Sequence, residues 1–483
     1  MITLGLVDSV DTNGVYVTMP GSRGVLRGPY KSLSTVAAGT TVLVASTDDG
    51  EQVVVGPAPT GDGVVSVLSF GAKGDGTTDD AAAIQAALDA AAAIRGTLVI
   101  PPGTYRVRST LSVGSNTTLR GTGTLDAVIP GAQAPVLWVN ADDVHIEGIT
   151  IVGNIAAFAG TTEWKHGISI CSANRVTVRD VTTTDNKGDG VYVGSGTEIG
   201  SPTGDPSTAI TLENVTSVGN HRQGLSVTCA VGVRVFGGTF ADTDGTAPQS
   251  GIDIEPDSAA FELRDVQIVG AQCDGNTGHG ISIVLHDEAQ GDVQVLGGSA
   301  SNNGKAGVYF ASAWRVRLSG LDVSDNAEDG VQFAGSGTVK DVHVADCTIN
   351  RNGQAGIYVN LGTTFSGLTV TGCTVLDNDV IGVGNRGSGG PYATGHNRIG
   401  NDASADTDYG LYTYSTVTPQ VHTWNHFESV GTADYAWDGG KGADTVVLQA
   451  TPPAVTGSRG GNAALASLLT ELANLGLITD SSS

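Results

Sequence analysis

At 483 residues the chain is too long for one ordinary globular core, unless an elongated repeat lets the core grow along a single axis. Seventy glycines, 5% aromatics and recurrent short runs of Val, Ile, Thr and Asn favour strands and turns over long amphipathic helices. With 49 acidic against 24 basic residues the net charge is −25, which argues against nucleic acid and anionic membrane as partners and is compatible with a neutral or metal-screened ligand.

The opening MITLGLVDSVD has neither a basic nor an apolar leader region, so no signal peptide is expected. No stretch reaches the roughly 18 apolar residues of a membrane span, so no membrane insertion is expected either. Residues 1–58 carry alternating runs at 2–7, 14–18, 39–45 and 51–55 separated by Gly, Asp and Pro, the pattern of a small closed β-barrel. The string GVYVTMPG…GPY…GTTVLVASTDDGEQVVVGPA resembles the OB-like modules of phage tail hub and adaptor proteins, which implies attachment to a tail or baseplate protein. A nucleic-acid-binding barrel would need more cations than Arg23, Arg27 and Lys31, and more stacking surface. APTGDG (58–63) reads as a linker.

Next comes a helix near 78–93, for which Thr78 is the expected N-cap, with Asp79 and Asp80 in the first turn. Ile84 and Leu88 share one face, and the helix should cover the open end of whatever follows. The signature FGAKGDGTTDD…AIQAAL…LVIPPGTY resembles the opening of the pectate-lyase-like family, common in bacteriophage tail spikes and polysaccharide-degrading enzymes. The resemblance covers roughly residues 61–385 and implies a right-handed parallel β-helix.

The residues themselves repeat. An Asn followed four residues later by Gly and an apolar-x-apolar triplet recurs at Asn186, Asn220, Asn276, Asn303, Asn326 and Asn352, and Asn378 carries the shorter form with Gly-Val-Gly. The glycines at 167, 190, 224, 251, 280, 307, 330, 356, 382 and 410 lie 23 to 34 residues apart, one coil of a solenoid each. The β-helix should therefore occupy 59–440. The recurrent Asn is expected to take αL geometry in a turn and to bond its stacked neighbours through its amide. Cys347 and Cys373 fall on the row of Val181, Val215 and Leu321, which makes them buried apolar rungs and not disulfide or nucleophilic groups.

The position two after each glycine should point outward, so stacked coils build a column of Ser169, Tyr192, Ser226, Asp253, Ser282, Tyr309, Gln332, Tyr358 and Tyr412. Aromatic faces with hydroxyl, amide and carboxylate groups suit a sugar chain. The sharpest feature is SGIDIEPD, where Asp253 and Glu255 are two apart on one strand with α-carbons roughly 6.5–7 Å apart. That spacing accommodates the acid and base of a glycosidase, and related hydrolases carry their acids on such a strand. Ser226 and Ser282 should flank Asp253, with His221 and Arg222 one coil below and His279 one coil above. Inserts at 195–208, 241–250 and 285–291 could wall a cleft.

A uronate lyase would need a calcium-binding carboxylate cluster and a base, for which only Arg222 is well placed. GGKGADTVV (439–447) fits a calcium repeat once, where tandem copies are needed. No metal site and no cofactor are therefore expected. Residues 441–483 read as a linker and a helix with Leu465, Leu468, Leu469 and Leu472 on one face, suited to packing on its own chain or about a trimer axis. The combined expectation is a homotrimeric tail spike of a phage or phage-derived particle that binds a host surface polysaccharide and hydrolyses it. The alternatives are a non-catalytic receptor-binding spike and a free-standing hydrolase or lyase.

Overall fold

Runs in which Val, Ile or Leu alternate with polar residues bury every second side chain, and parallel pairing stacks those side chains about 4.8 Å apart. Leu98, Leu119, Ile146, Val178, Leu212, Val235 and Ile268 lie in register on successive coils, all buried, and form one wall of an aliphatic core. The computed structural model describes residues 63–131, 133–157 and 163–400, together with strands within 2–57 and 409–480. It is a parallel β-helix, as the repeat implies, and it divides into two units, Met1–Gly278 and His279–Ser483.

In the first unit, strands β1 (Ile2–Asp11), β2 (Gly14–Thr18), β3 (Leu26–Ser32), β4 (Thr41–Ser46) and β5 (Gln52–Pro57) close a barrel in the order β1-β2-β3-β5-β4. Val7, Val15, Val17, Val42 and Val44 fill it. Helix α1 spans Ala81–Ala93 and buries Ile84 and Leu88 completely. Its N-cap is Asp80, not Thr78, which belongs to a strand, Asp75–Asp79, paired in parallel with Thr104–Val107. The reason is local: the buried Asp80 carboxylate accepts the backbone N–H groups of Lys73 and Gly74 at 2.7 and 3.0 Å, which ties the start of the helix to the KGDG turn.

The Asn row does bond its stacked neighbours. Asn186 Nδ2 donates to Asn220 Oδ1 at 2.8 Å in the first unit. In the second, Asn303, Asn326, Asn352 and Asn378 continue the pattern at 2.9 Å per step. The αL residue is instead the one before the Asn: Asp185, Asn302, Asp325, Arg351 and Asp377 have φ between 53° and 60°. The turn thus divides its tasks between two adjacent residues, one in αL geometry and the next bonded along the stack.

The second unit repeats the coil, with Val293, Val316, Val342, Leu368 and Tyr392 in register in its core. Cys347 and Cys373 are buried rungs, and all five cysteines are buried and outside any disulfide. Among the described residues no helix is long and apolar enough to cross a membrane. The 58–62 linker, the run from Leu465 to Leu472 and residues 439–444 lie outside the described residues.

Candidate active site

Strands β6 (Leu137–Val139), β7 (Ile168–Cys171), β8 (Val191–Gly194), β9 (Leu225–Val227) and β10 (Ile252–Ile254) lie side by side in the first unit. Their central residues, Trp138, Ser169, Tyr192, Ser226 and Asp253, stand in register. The column is buried, not open: Tyr192 and Asp253 are each 3% exposed. Period-two alternation gives the face of a residue but not what lies over it. Here Trp164 and Ile199 pack onto Trp138, Cys171 and Tyr192 and roof part of the column.

What remains accessible is a recess lined by Glu163, Trp164, His166, Tyr192, Arg222, Ser226, Thr228, Asp253, Glu255 and Asp257. Asp253 is held on β10, and Glu255 follows just beyond the strand end, half-buried. Gln223 Nε2 donates to Asp253 Oδ2 at 2.8 Å.

Beneath the recess is a carboxylate that the sequence reading passed over. Asp189, fully buried, accepts the Ser226 hydroxyl at 2.8 Å and faces Arg222 Nη1 at 3.4 Å. Burial works against the Arg222 charge, but Asp189, Glu163, Asp253 and Glu255 outweigh it and raise its pKa. His166 Nδ1 accepts the Asp189 backbone N–H at 3.0 Å, so the neutral ring carries its proton on Nε2. Burial lowers the His166 pKa to about 4, against the attraction of Asp189. The ring stacks on Tyr192 with centroids 4.9 Å apart and meets Trp164 edge-on at 5.7 Å. Burial raises the Tyr192 pKa, and its hydroxyl pairs with Thr228 Oγ1 at 2.9 Å.

His166, Asp189 and Gln223 share one signal, a polar residue directly before the repeat glycine. His221 is placed elsewhere in its turn, 3.0 Å from Lys187 Nζ, and does not line the recess.

In the second unit Ser282, Tyr309, Gln332 and Tyr358 are in register. Ser282 is buried and the other three are half-buried. His279 stacks on Tyr309 with centroids 4.4 Å apart, and Gln332 donates to Asp329 at 2.7 Å. None of these five predicted contact residues is among the recess lining.

A family model described as rhamnogalacturonase A/epimerase, pectate lyase-like, matches residues 64–332, more than half of the chain. The chain belongs to that family. A second model, described as periplasmic copper-binding protein (NosD), matches residues 265–447. Among the described residues no group of three or more His, Cys, Asp or Glu side chains is arranged to hold a metal ion. This pectate lyase-like chain is 27% identical over 252 residues to the preneck appendage protein of Bacillus phage PZA, an alignment that takes in 47% of the chain but 28% of that protein. Its fold is similar to the mannuronan C-5 epimerase AlgE4 A-module of Azotobacter vinelandii, with a TM-score of 0.52, 18% identity and coverage of 79% of this chain and 100% of that one. It is also similar to the Dettilon tailspike protein, with a TM-score of 0.53, 14% identity and coverage of 73% and 68%.

Proposed function

We propose that this pectate lyase-like chain is a phage tail appendage or spike that binds a host surface polysaccharide in the recess and hydrolyses it. The observation that carries the reading is the convergence of Glu163, Asp253, Glu255 and Asp257 with one arginine and the rings of Trp164 and Tyr192. Two carboxyl groups beside a sugar are the usual machinery of glycoside hydrolysis: one protonates the leaving oxygen while the other activates water or attacks the anomeric carbon. In this reading Asp253 and Glu255 take the two roles, and aromatic faces support a pyranose ring. The similarity to a phage preneck appendage protein, a tailspike and a polysaccharide epimerase module supports the setting.

The lyase alternative requires a base for proton abstraction, and the surroundings of the candidate groups argue against it. Arg222 is held in its cationic form by four carboxyl groups, Tyr192 is raised by burial, and the unprotonated nitrogen of His166 is occupied by a backbone N–H.

In this reading the five-stranded barrel serves as an OB-like attachment module toward a tail or baseplate protein, residues 59–440 act on the glycan and 441–483 join three copies at the virion tail. The closed order β1-β2-β3-β5-β4 supports the first part.

The near-complete burial of Asp253 favours a second reading, in which the recess grips sugar without cleaving it. Incubation of the purified protein with host surface polysaccharide decides between them: hydrolysis releases new reducing ends, and binding alone releases none.

A further inference from the structure

Resting on the glycan reading above, we infer that the recess is built for a sugar carrying an ammonium group, an unacetylated amino sugar, and against uronates. Among the described residues four carboxyl side chains, Glu163, Asp253, Glu255 and Asp257, line it with Arg222 as the single cationic side chain. The Arg222 charge is already engaged from below by the fully buried Asp189. The lysines of the neighbouring turns point their charges elsewhere: Lys165 Nζ donates to the Ile129 carbonyl, and Lys187 Nζ lies 3.0 Å from His221. An anionic sugar would therefore meet an excess of carboxyl groups in the recess, whereas an ammonium would be attracted by it.

A second feature points to a ligand independently of that charge. His166 lines the recess and is 2% exposed, yet its Nε2 has no hydrogen-bond partner among the described residues. Since Nδ1 is occupied by the Asp189 backbone, Nε2 is a fixed, uncharged donor suited to a hydroxyl or ring oxygen. Trp164 adds an aromatic face of the kind that favours a cation. Carboxylates for an ammonium, a neutral donor for oxygen and a ring face together describe one amino sugar.

Calorimetric titration of the full chain with four-sugar oligomers of glucosamine, N-acetylglucosamine and galacturonate tests this, at about pH 6, where amines are protonated and carboxylates ionised. In about 0.01 M salt the glucosamine oligomer should bind at least roughly ten-fold more tightly than either other, and the advantage should shrink below about three-fold in about 1 M salt. Glu163 and Asp257 are exposed, so the Glu163→Gln, Asp257→Asn double variant should fold normally and lose most of the preference. His166→Phe, which keeps a ring against Tyr192, should weaken the glucosamine oligomer by about three- to ten-fold.

Equal binding of the acetylated or uronate oligomer, an intact preference in the double variant, or no binding of any oligomer would overturn the inference. An unchanged affinity in His166→Phe would do the same for the His166 part. Cleavage of native polysaccharide is scored separately, so loss of the amine preference leaves the hydrolysis reading standing, and absence of cleavage leaves the preference to be judged on binding.

Discussion

Gln223 and Asp253 are linked across adjacent coils. Gln223 Nε2 donates to Asp253 Oδ2 at 2.8 Å, and Gln223 Oε1 accepts the Ser250 backbone N–H at 2.8 Å. One amide thus spans two coils and fixes the direction of the carboxyl group. Gln223→Leu should cost about 1–3 kcal/mol in stability, because it leaves buried polar groups unsatisfied. It should also slow cleavage by about 10- to 100-fold through misplacement of Asp253. Chemical denaturation and initial rates of reducing-end release measure the two effects separately.

Asp189 is the counter-charge beneath Arg222, and its removal strands a largely buried guanidinium. Asp189→Ala is expected to destabilise the first unit by on the order of 3 kcal/mol. Asp189→Asn, whose amide oxygen still accepts the Ser226 hydroxyl, should recover part of that loss. Equal stability of Asp189→Asn and wild type in urea unfolding would show that the charge of Asp189 contributes nothing.

The coil register was legible because glycine spacing and the Asn row are local patterns with a steric cause. At Gly330 an added Cβ would come within 2.6 Å of the Gly356 carbonyl oxygen and 2.8 Å of Asn352 Nδ2, so stacking itself demands glycine. The strand face of Asp253 was legible for the same reason. Burial of the column around Tyr192 was not, because its cover there comes from Trp164 and Ile199, contacts that no periodicity encodes. The αL turn residue was within reach: Asp directly precedes Asn at 185–186, 325–326 and 377–378. Asp189 was missed because one buried acid in a turn looks like any solvated loop acid until its neighbours His166 and Gln223 are aligned with it.

The Asn ladder of the second unit should be cooperative along the stack. Asn352 Oδ1 accepts from Asn326, while its Nδ2 donates to Asn378 and to the Val323 carbonyl, each near 3 Å. Asn352→Ala is predicted to cost about 2–4 kcal/mol, more than a typical surface change, since it strands partners on both sides. Hydrogen exchange should show the loosening in the coils bearing Asn326 and Asn378.

Acid should loosen the fold through buried histidines. His166, His279 and His422 are each lowered from 6.5 to about 4, with burial the largest cause. The unfolded chain therefore binds more protons than the folded one between about pH 6.5 and 4. Stability from neutral burial is fully present above pH 6.5 and declines as pH falls through that window, by up to about 3 kcal/mol for fully buried His166. Thermal unfolding of wild type and His166→Phe from pH 7 to 4 checks this, with a shallower decline expected for the variant.

The most direct test of the acid-pair assignment is reducing-end release from host surface polysaccharide by wild type, Asp253→Asn and Glu255→Gln, with folding of each verified by circular dichroism. Wild type should release reducing ends, and release should fall by at least about 100-fold in each variant. Release by wild type that survives both substitutions, or no release by wild type, would contradict the assignment.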